Sequence, residues 1–427
     1  MRVGEHFCPG VLHAVQAKDG LLIRIRVPGG LIEANQLRTI ADLSSGFADG
    51  TIEITSRANL QLRGIRTEDL GQIVDSISSA GLLPSQQHDR VRNIITSPIA
   101  GIDPGELIDP RPLIRQFDQR LQADAALVNL HPKFSFAIHG GPKRFSRDID
   151  DVSLDAVNLG AAPYLRFSLG GVSSRFVVKP GDAVDCMLAT TRMCIELAKE
   201  SSLPVRVKAV MAIPGAMERV LDALSHMLQP SPLSLPASTV NEPLMGIYTT
   251  TQDGRVNIIP SVPLGRLNPE QARYLADASN EWTGDLRLAP WRGVVLGSIP
   301  KSAADNIVAQ LRAIGLSCEG RDGFQGIAAC AGITGCDASL ADVRDDAASL
   351  AQRLLGHAVP SGWTVNLSGC DKQCARRHGA TAELVAGPLG YTLNVKGRRV
   401  ASDCSREFAL DAVAALHENL LSEVAAR

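Results

Sequence analysis

The sequence predicts an α+β protein built by duplication, in the order A-B-A′-B′. The first observation is a repeat. "GLLIRIRVPGGLIEANQLRTIADLSSGFADGTIEITSRANLQLRGI", Gly20 to Ile65, returns as "GRVNIIPSVPLGRLNPEQARYLADASNEWTGDLRLAPWRGVVLGSI", Gly254 to Ile299. Val27-Pro28 matches Val262-Pro263, Gly30 matches Gly265, Gln36 matches Gln271, and Ala41-Asp42 matches Ala276-Asp277. After a one-residue deletion Gly50 meets Gly284 and Ile65 meets Ile299, and identities held at one offset mark an internal repeat. The second observation is the shared pattern of alternating strand, helix and alternating strand. The third is that "KFSFAIHGGPK" lies against "GWTVNLSGCDK", so that Gly140-Gly141 falls on Gly369-Cys370.

In the first copy "LLIRIRV" alternates as a half-buried strand, and Pro-Gly-Gly turns the chain. "EANQLRTIADLSSGF" has apolar residues at helical spacing, and "GTIEITSRANLQLRGI" alternates again as strand, bend and strand. Between the copies, Ala80 to Leu228 carries strand-like "FSFAIHGG", "YLRFSLGG" and "RFVVKPG", then the helical "GDAVDCMLATTRMCIELAKE". "QPSPLSLPASTVNEP", Gln229 to Pro243, is rich in Pro and Ser and reads as a linker. A second, shorter α/β unit follows the second copy, from about Gly315 to Arg427.

At 427 residues the chain has room for several cores, and its net charge of -2 gives no global pull toward nucleic acid or an anionic membrane. The opening "MRVGEHFCPGVLHAV" lacks a signal-peptide core, and no apolar run approaches the ~18 residues of a membrane span. A reducing cytoplasm is the expected compartment, where grouped cysteines more often hold metal or do redox work than form disulfides.

Four of the nine cysteines are grouped, Cys330 and Cys336 as C-x5-C and Cys370 and Cys374 as C-x3-C. Zinc sites favour two to four intervening residues, and no C-x-x-C dithiol occurs in the chain. A 4Fe-4S cluster takes four thiolates from strand-end loops, and Gly332, Gly335 and Gly369 would let backbone N–H groups approach it. Zinc and unpaired thiols are the alternatives. Cys8, Cys186, Cys194, Cys318 and Cys404 are scattered and read as small buried side chains.

With "VPGG", "TSRANLQLRGI", "VRNI…SP", "HPKFSFAI" and the quartet on the second half, nearly the whole chain resembles the sirohaem nitrite and sulfite reductase superfamily. The resemblance implies two ferredoxin-like half-domains, 1–78 and 241–314, pairing into one domain. Two α/β domains, 79–240 and 315–427, would complete a pseudo-two-fold arrangement, the latter carrying the cluster. It also implies that Arg57, Arg92 and Lys133 line a tetrapyrrole and anion site. A macrocycle rimmed with carboxylates suits arginine, which stays charged and donates in pairs. Arg63 and Arg66 read instead as solvated strand positions.

Reductases of this kind usually read "PRKFK" where this chain has "HPKFS", so Ser135 replaces a second lysine. The opening "CPGVLHAVQAKDGLLIRIRVPGG" and "PWRGVVL" resemble the precorrin-3B synthase branch of aerobic cobalamin biosynthesis. That branch implies an O2-dependent monooxygenase hydroxylating precorrin-3A at C20 with γ-lactone formation. Electrons would come from a reduced nicotinamide through a separate reductase or ferredoxin, since no G-x-G-x-x-G follows a strand here. A second, non-haem iron is implied as well. The sequence does not name its ligands, because His131 and His139 read as surface or satisfied core histidines. The alternatives are a sirohaem-dependent sulfite or nitrite reductase, with Cys374 bridging cluster and haem, and a non-enzymatic tetrapyrrole-binding or cluster-carrying protein.

Overall fold

A computed structural model describes residues 8–146, 148–231, 240–282, 284–376 and 379–425. Most of the linker predicted over Gln229 to Pro243 lies outside them. The two copies of the repeat are bound by an exchange of short strands. Val15–Ala17, Gly20–Ile25, Leu60–Ile65 and Ile52–Ile54 form one sheet, closed at its edge by Arg266–Leu267 of the second copy. Gly246–Thr249, Arg255–Ile259, Gly293–Pro300 and Leu286–Ala289 form its mate, closed by Leu31–Ile32 of the first. The registers are reciprocal: Arg266 pairs with Glu53 and Leu267 with Ile52, while Leu31 pairs with Arg287 and Ile32 with Leu286.

Local chemistry explains which residues survived duplication. Gly30 and Gly265 have φ of +69° and +70°, and a Cβ on Gly30 would run into the backbone oxygen of Leu288. Gln36 accepts from the N–H of Glu33 at the head of helix Ala34–Phe47 and donates to the Ala80 carbonyl at 3.1 Å. Gln271 repeats this in helix Pro269–Trp282, accepting from Asn268 N–H and donating to the Ile314 carbonyl at 2.7 Å. The two helices pack together over one apolar core that takes Ile23, Ile40 and Leu62 from one copy and Ile258, Leu275 and Leu296 from the other. Each such fully buried side chain stabilises the fold by about 1.5–3 kcal/mol, so neither copy's core is complete alone.

The α/β units are also duplicates. In the first, Ile94–Ile95, Phe136–His139 and Val152–Leu159 run parallel, followed by antiparallel Ala162–Leu169, Val172–Val178 and Leu228–Pro230. In the second, Ile327–Ala329, Val365–Ser368 and Ala382–Gly387 run parallel, followed by antiparallel Gly390–Val395 and Arg398–Cys404. Ile94 lies beside Phe136 and Phe136 beside Val152, as Ile327 lies beside Val365 and Val365 beside Ala382. Counting from that register puts Ser97 at the position of Cys330, Gly141 at Cys370 and Phe145 at Cys374. Among the described residues no helix is long and apolar enough to cross a membrane.

Candidate functional site

The four grouped cysteines all line one cleft of about 1570 Å³ between the halves. Cys330 follows the end of strand Ile327–Ala329, and Cys370 follows strand Val365–Ser368, beside it in the sheet. The Gly369 N–H donates to Cys330 Sγ at 3.3 Å, and the Gly369 carbonyl accepts from Leu340 N–H at 2.8 Å. Only glycine fits at 369, because a Cβ would collide with the Ser339 hydroxyl. Cys330, Cys336 and Cys370 are half-buried and Cys374 is exposed.

The remaining cysteines divide. Cys186 and Cys194 are buried on helix Ala183–Glu200, as expected, and burial pushes both thiols up to about 12. Cys8 and Cys318 instead are half-buried and reach the cleft wall, and Cys404, also half-buried, donates to the Tyr391 carbonyl at 2.9 Å.

Twelve lysine or arginine side chains line the cleft against five carboxylates, which selects for a ligand of several negative charges. Arg57 and Lys133 are among them, and Arg57 Nε donates to Asp148 at 2.9 Å. Arg92 is not. Its guanidinium turns away and grips Asp118 with two bonds of 2.7 Å, lining a separate cavity of about 750 Å³. Asn93, next along the chain, lines the cleft instead, its side-chain amide donating to the Pro132 and Phe134 carbonyls at 3.0 Å.

Arg63 also departs from the sequence expectation. It is 5% exposed, paired twice with Asp19 at 2.9 and 3.0 Å, and donates to the Gly335 carbonyl beside Cys336. Lys18 donates to Ile333 of the same loop at 2.8 Å, so the first half-domain holds the first cysteine loop. Arg66 is exposed, as expected.

Arg24 and Arg26 were missed, although "IRIRV" displays them two apart on one strand face. Both line the cleft, and burial holds both below the ordinary arginine value.

Duplication has not kept the site's side chains in the other copy. Trp291 stands at the position of Arg57, Ile259 at Arg24 and Phe145 at Cys374. Phe145 and Trp291 meet edge-on, ring centres 5.1 Å apart, in an apolar cluster with Ile99, Ile102 and Val295.

His131 accepts from Lys133 N–H at 3.1 Å. His139 is 1% exposed, and neither ring nitrogen makes a hydrogen bond of standard length and angle, so it is an unsatisfied core histidine rather than a satisfied one. Burial lowers it to about 4. Asp150, 3% exposed, is pushed up to about 7 by burial, against the pull of Arg144 and Arg57. From about pH 4, the ordinary carboxyl value, up to about 7, the unfolded chain releases this proton while the folded chain keeps it. Stability contributed by Asp150 is therefore lost as pH rises through that window. Asp150→Asn is expected to flatten this fall by a few kcal/mol, read as urea midpoints at acid and neutral pH. Unchanged slopes would contradict it.

The residues fit a cluster by their donor chemistry: four thiols on two loops, with the Gly369 N–H on Cys330 Sγ and Gly369 itself close-packed against Ser339. Among the described residues no three histidine, cysteine or carboxylate groups converge on a single-ion site. A separate mononuclear iron therefore has no ready-made ligand set there.

Comparison with known proteins follows the same lines. The model of the nitrite/sulfite reductase ferredoxin-like half domain matches residues 13–80 and 250–314. That of the nitrite and sulphite reductase 4Fe-4S domain matches residues 87–199, the first α/β unit, whose only cysteines are the buried Cys186 and Cys194. A precorrin-3B synthase of Sinorhizobium sp. is 30% identical over 91% of this chain and 82% of its own length. A ferredoxin–nitrite reductase of Synechococcus elongatus is 26% identical over 83% of this chain and 74% of its own. The solved NirA protein of Mycobacterium tuberculosis shares the fold, with a TM-score of 0.75 at 22% identity over 92% of this chain and 79% of that one. With the family's half-domain matched in both copies and its α/β domain between them, the chain belongs to the nitrite and sulfite reductase family.

Proposed function

We propose that the chain is a precorrin-3B synthase, hydroxylating precorrin-3A at C20 with closure of a γ-lactone in cobalamin biosynthesis, with O2 as oxidant. One observation carries the reading: a single cleft brings the four thiols to a wall of cations suited to a ligand rimmed with carboxylates. The relative at 30% identity supports the synthase over the reductases, and Ser135 in place of a second lysine points the same way.

In this reading Arg57, Lys133, Arg24 and Arg26 hold the carboxylates of the macrocycle, the arginines with planar paired donors. Cys330, Cys336, Cys370 and Cys374 would hold a 4Fe-4S cluster, which supplies single electrons when bound. The donor is a separate ferredoxin or reductase. Resemblance implies a second iron for dioxygen chemistry, but the described residues offer no gathered ligands for one, and no step is assigned to it.

The nitrite reductase relatives carry the competing reading, in which sirohaem occupies the cleft beside Cys374. The absorption spectrum of the purified protein separates the two. A broad iron–sulfur shoulder alone is expected, whereas sharp sirohaem bands would overturn the synthase reading.

A further inference from the structure

Arg292 stands at the bend between strands Leu286–Ala289 and Gly293–Pro300 with φ of +68°, in the left-handed region that residues with side chains avoid. Its counterpart in the first copy, Ala58, has φ of +54°. The bend therefore belongs to the duplicated fold, while the arginine belongs to this copy alone.

That backbone aims the side chain across the domain boundary. Its guanidinium donates to the carbonyl of Ala375, directly after Cys374 in the chain. It also lies close enough to Cys330 and Arg24 for their charges to act on it, and burial holds it below the ordinary arginine value.

The contrast with Arg63 is instructive. Arg63 grips the other cysteine loop, but Asp19 neutralises it at 2.9 Å. The carboxylate that acts most favourably on Arg292 is Glu53, which is itself joined to Arg344 and lies 3.7 Å from Arg266. A desolvated cation that shares its main counter-charge with two others calls for another negative group, and the four thiols that would carry a cluster as thiolates lie on the same cleft wall.

We propose that Arg292 is a positioning residue for the Cys370–Cys374 loop and supplies the positive charge that offsets a cluster on the four cysteines, raising its reduction potential. The proposal rests on the cluster assignment above and not on the tetrapyrrole chemistry. Reduction adds negative charge to a cluster, so a nearby cation favours the reduced form, and net charge is one of the levers that set such potentials.

Three variants separate charge from structure. Arg292→Gly suits the left-handed backbone, so it is expected to keep the thermal transition of the wild type while losing both contact and charge. Arg292→Gln loses the charge and Arg292→Lys keeps it.

The measurements are an EPR-monitored redox titration, iron and sulfide per chain, and hydrogen exchange of the amides of residues 373–376 in cluster-free protein. Glycine and glutamine variants are expected to show a more negative midpoint or, while folded, lower cluster occupancy. Arg292→Lys is expected to stay near the wild-type midpoint. Exchange over 373–376 is expected to quicken in Arg292→Gly.

Unchanged midpoint, occupancy and exchange in Arg292→Gly would overturn the proposal. Failure of the cluster assignment would show separately, as iron retained in Cys370→Ser. Failure of the substrate reading would show only in turnover.

Discussion

Cys370→Ser and Cys336→Ala are expected to lose most of their iron and sulfide, while Cys186→Ala and Cys194→Ala keep full content. The difference follows from placement. Each quartet thiol lies on the cleft wall, Cys330 and Cys370 after the ends of parallel strands and Cys336 and Cys374 further along the same loops, and these loops are fixed by contacts such as Gly369 N–H to Cys330 and Arg63 to Gly335. Cys186 and Cys194 sit inside the helix core of the other unit, with thiols pushed up to about 12 and so not available as thiolates. Serine has the size of cysteine but not its affinity for iron, so Cys370→Ser tests the ligand without opening a cavity. Iron and sulfide analysis after anaerobic preparation reads the outcome. Full content in the quartet variants, or zinc in place of iron, would refute the assignment.

The second large effect concerns the anionic ligand. Arg57→Lys keeps the charge and loses the planar fork, so precorrin-3A binding is expected to weaken by about one to two orders of magnitude. This corresponds to the ~1.5–3 kcal/mol of a charge-assisted hydrogen bond. Arg92→Lys should leave binding unchanged and lower stability instead, because its partner is Asp118 of helix Arg111–Ala123 rather than a group in the cleft. Arg273→Lys is the surface control, since Arg273 is half-buried away from the cleft and paired with Asp42. Fluorescence or absorbance titration with precorrin-3A measures all three. Equal affinities for Arg57→Lys and Arg273→Lys would remove the macrocycle from that wall.

The sequence made the duplication legible because the retained identities sit where backbone chemistry allows few substitutes. Gly30 and Gly265 hold left-handed turns against the opposite sheet, and Gln36 and Gln271 close the same cap. The cysteine loops could be aligned by eye because the parallel strands beneath them keep one register.

The direction of individual arginines was not legible. Whether Arg92 meets Asp118 or the cleft depends on a partner 26 positions away, and Arg63 is buried only because Asp19 and the Gly335 carbonyl meet it from two different domains. Arg24 and Arg26 were visible in the alternation but could not be distinguished from a solvated strand face without the opposite half in place. Arg292 gave no signal, since its role comes from a left-handed bend that its counterpart Ala58 shares without a charge.

The central claim is that precorrin-3A is the substrate in this cleft, not a stand-in for sirohaem. Supplying isotopically labelled dioxygen to the reduced protein with precorrin-3A, and analysing the product by mass spectrometry, tests it most directly. The account predicts one labelled oxygen atom in a hydroxylated lactone product, formed only when substrate and reductant are both present. A product without label, or nitrite or sulfite reduction by protein that carries sirohaem, would contradict it.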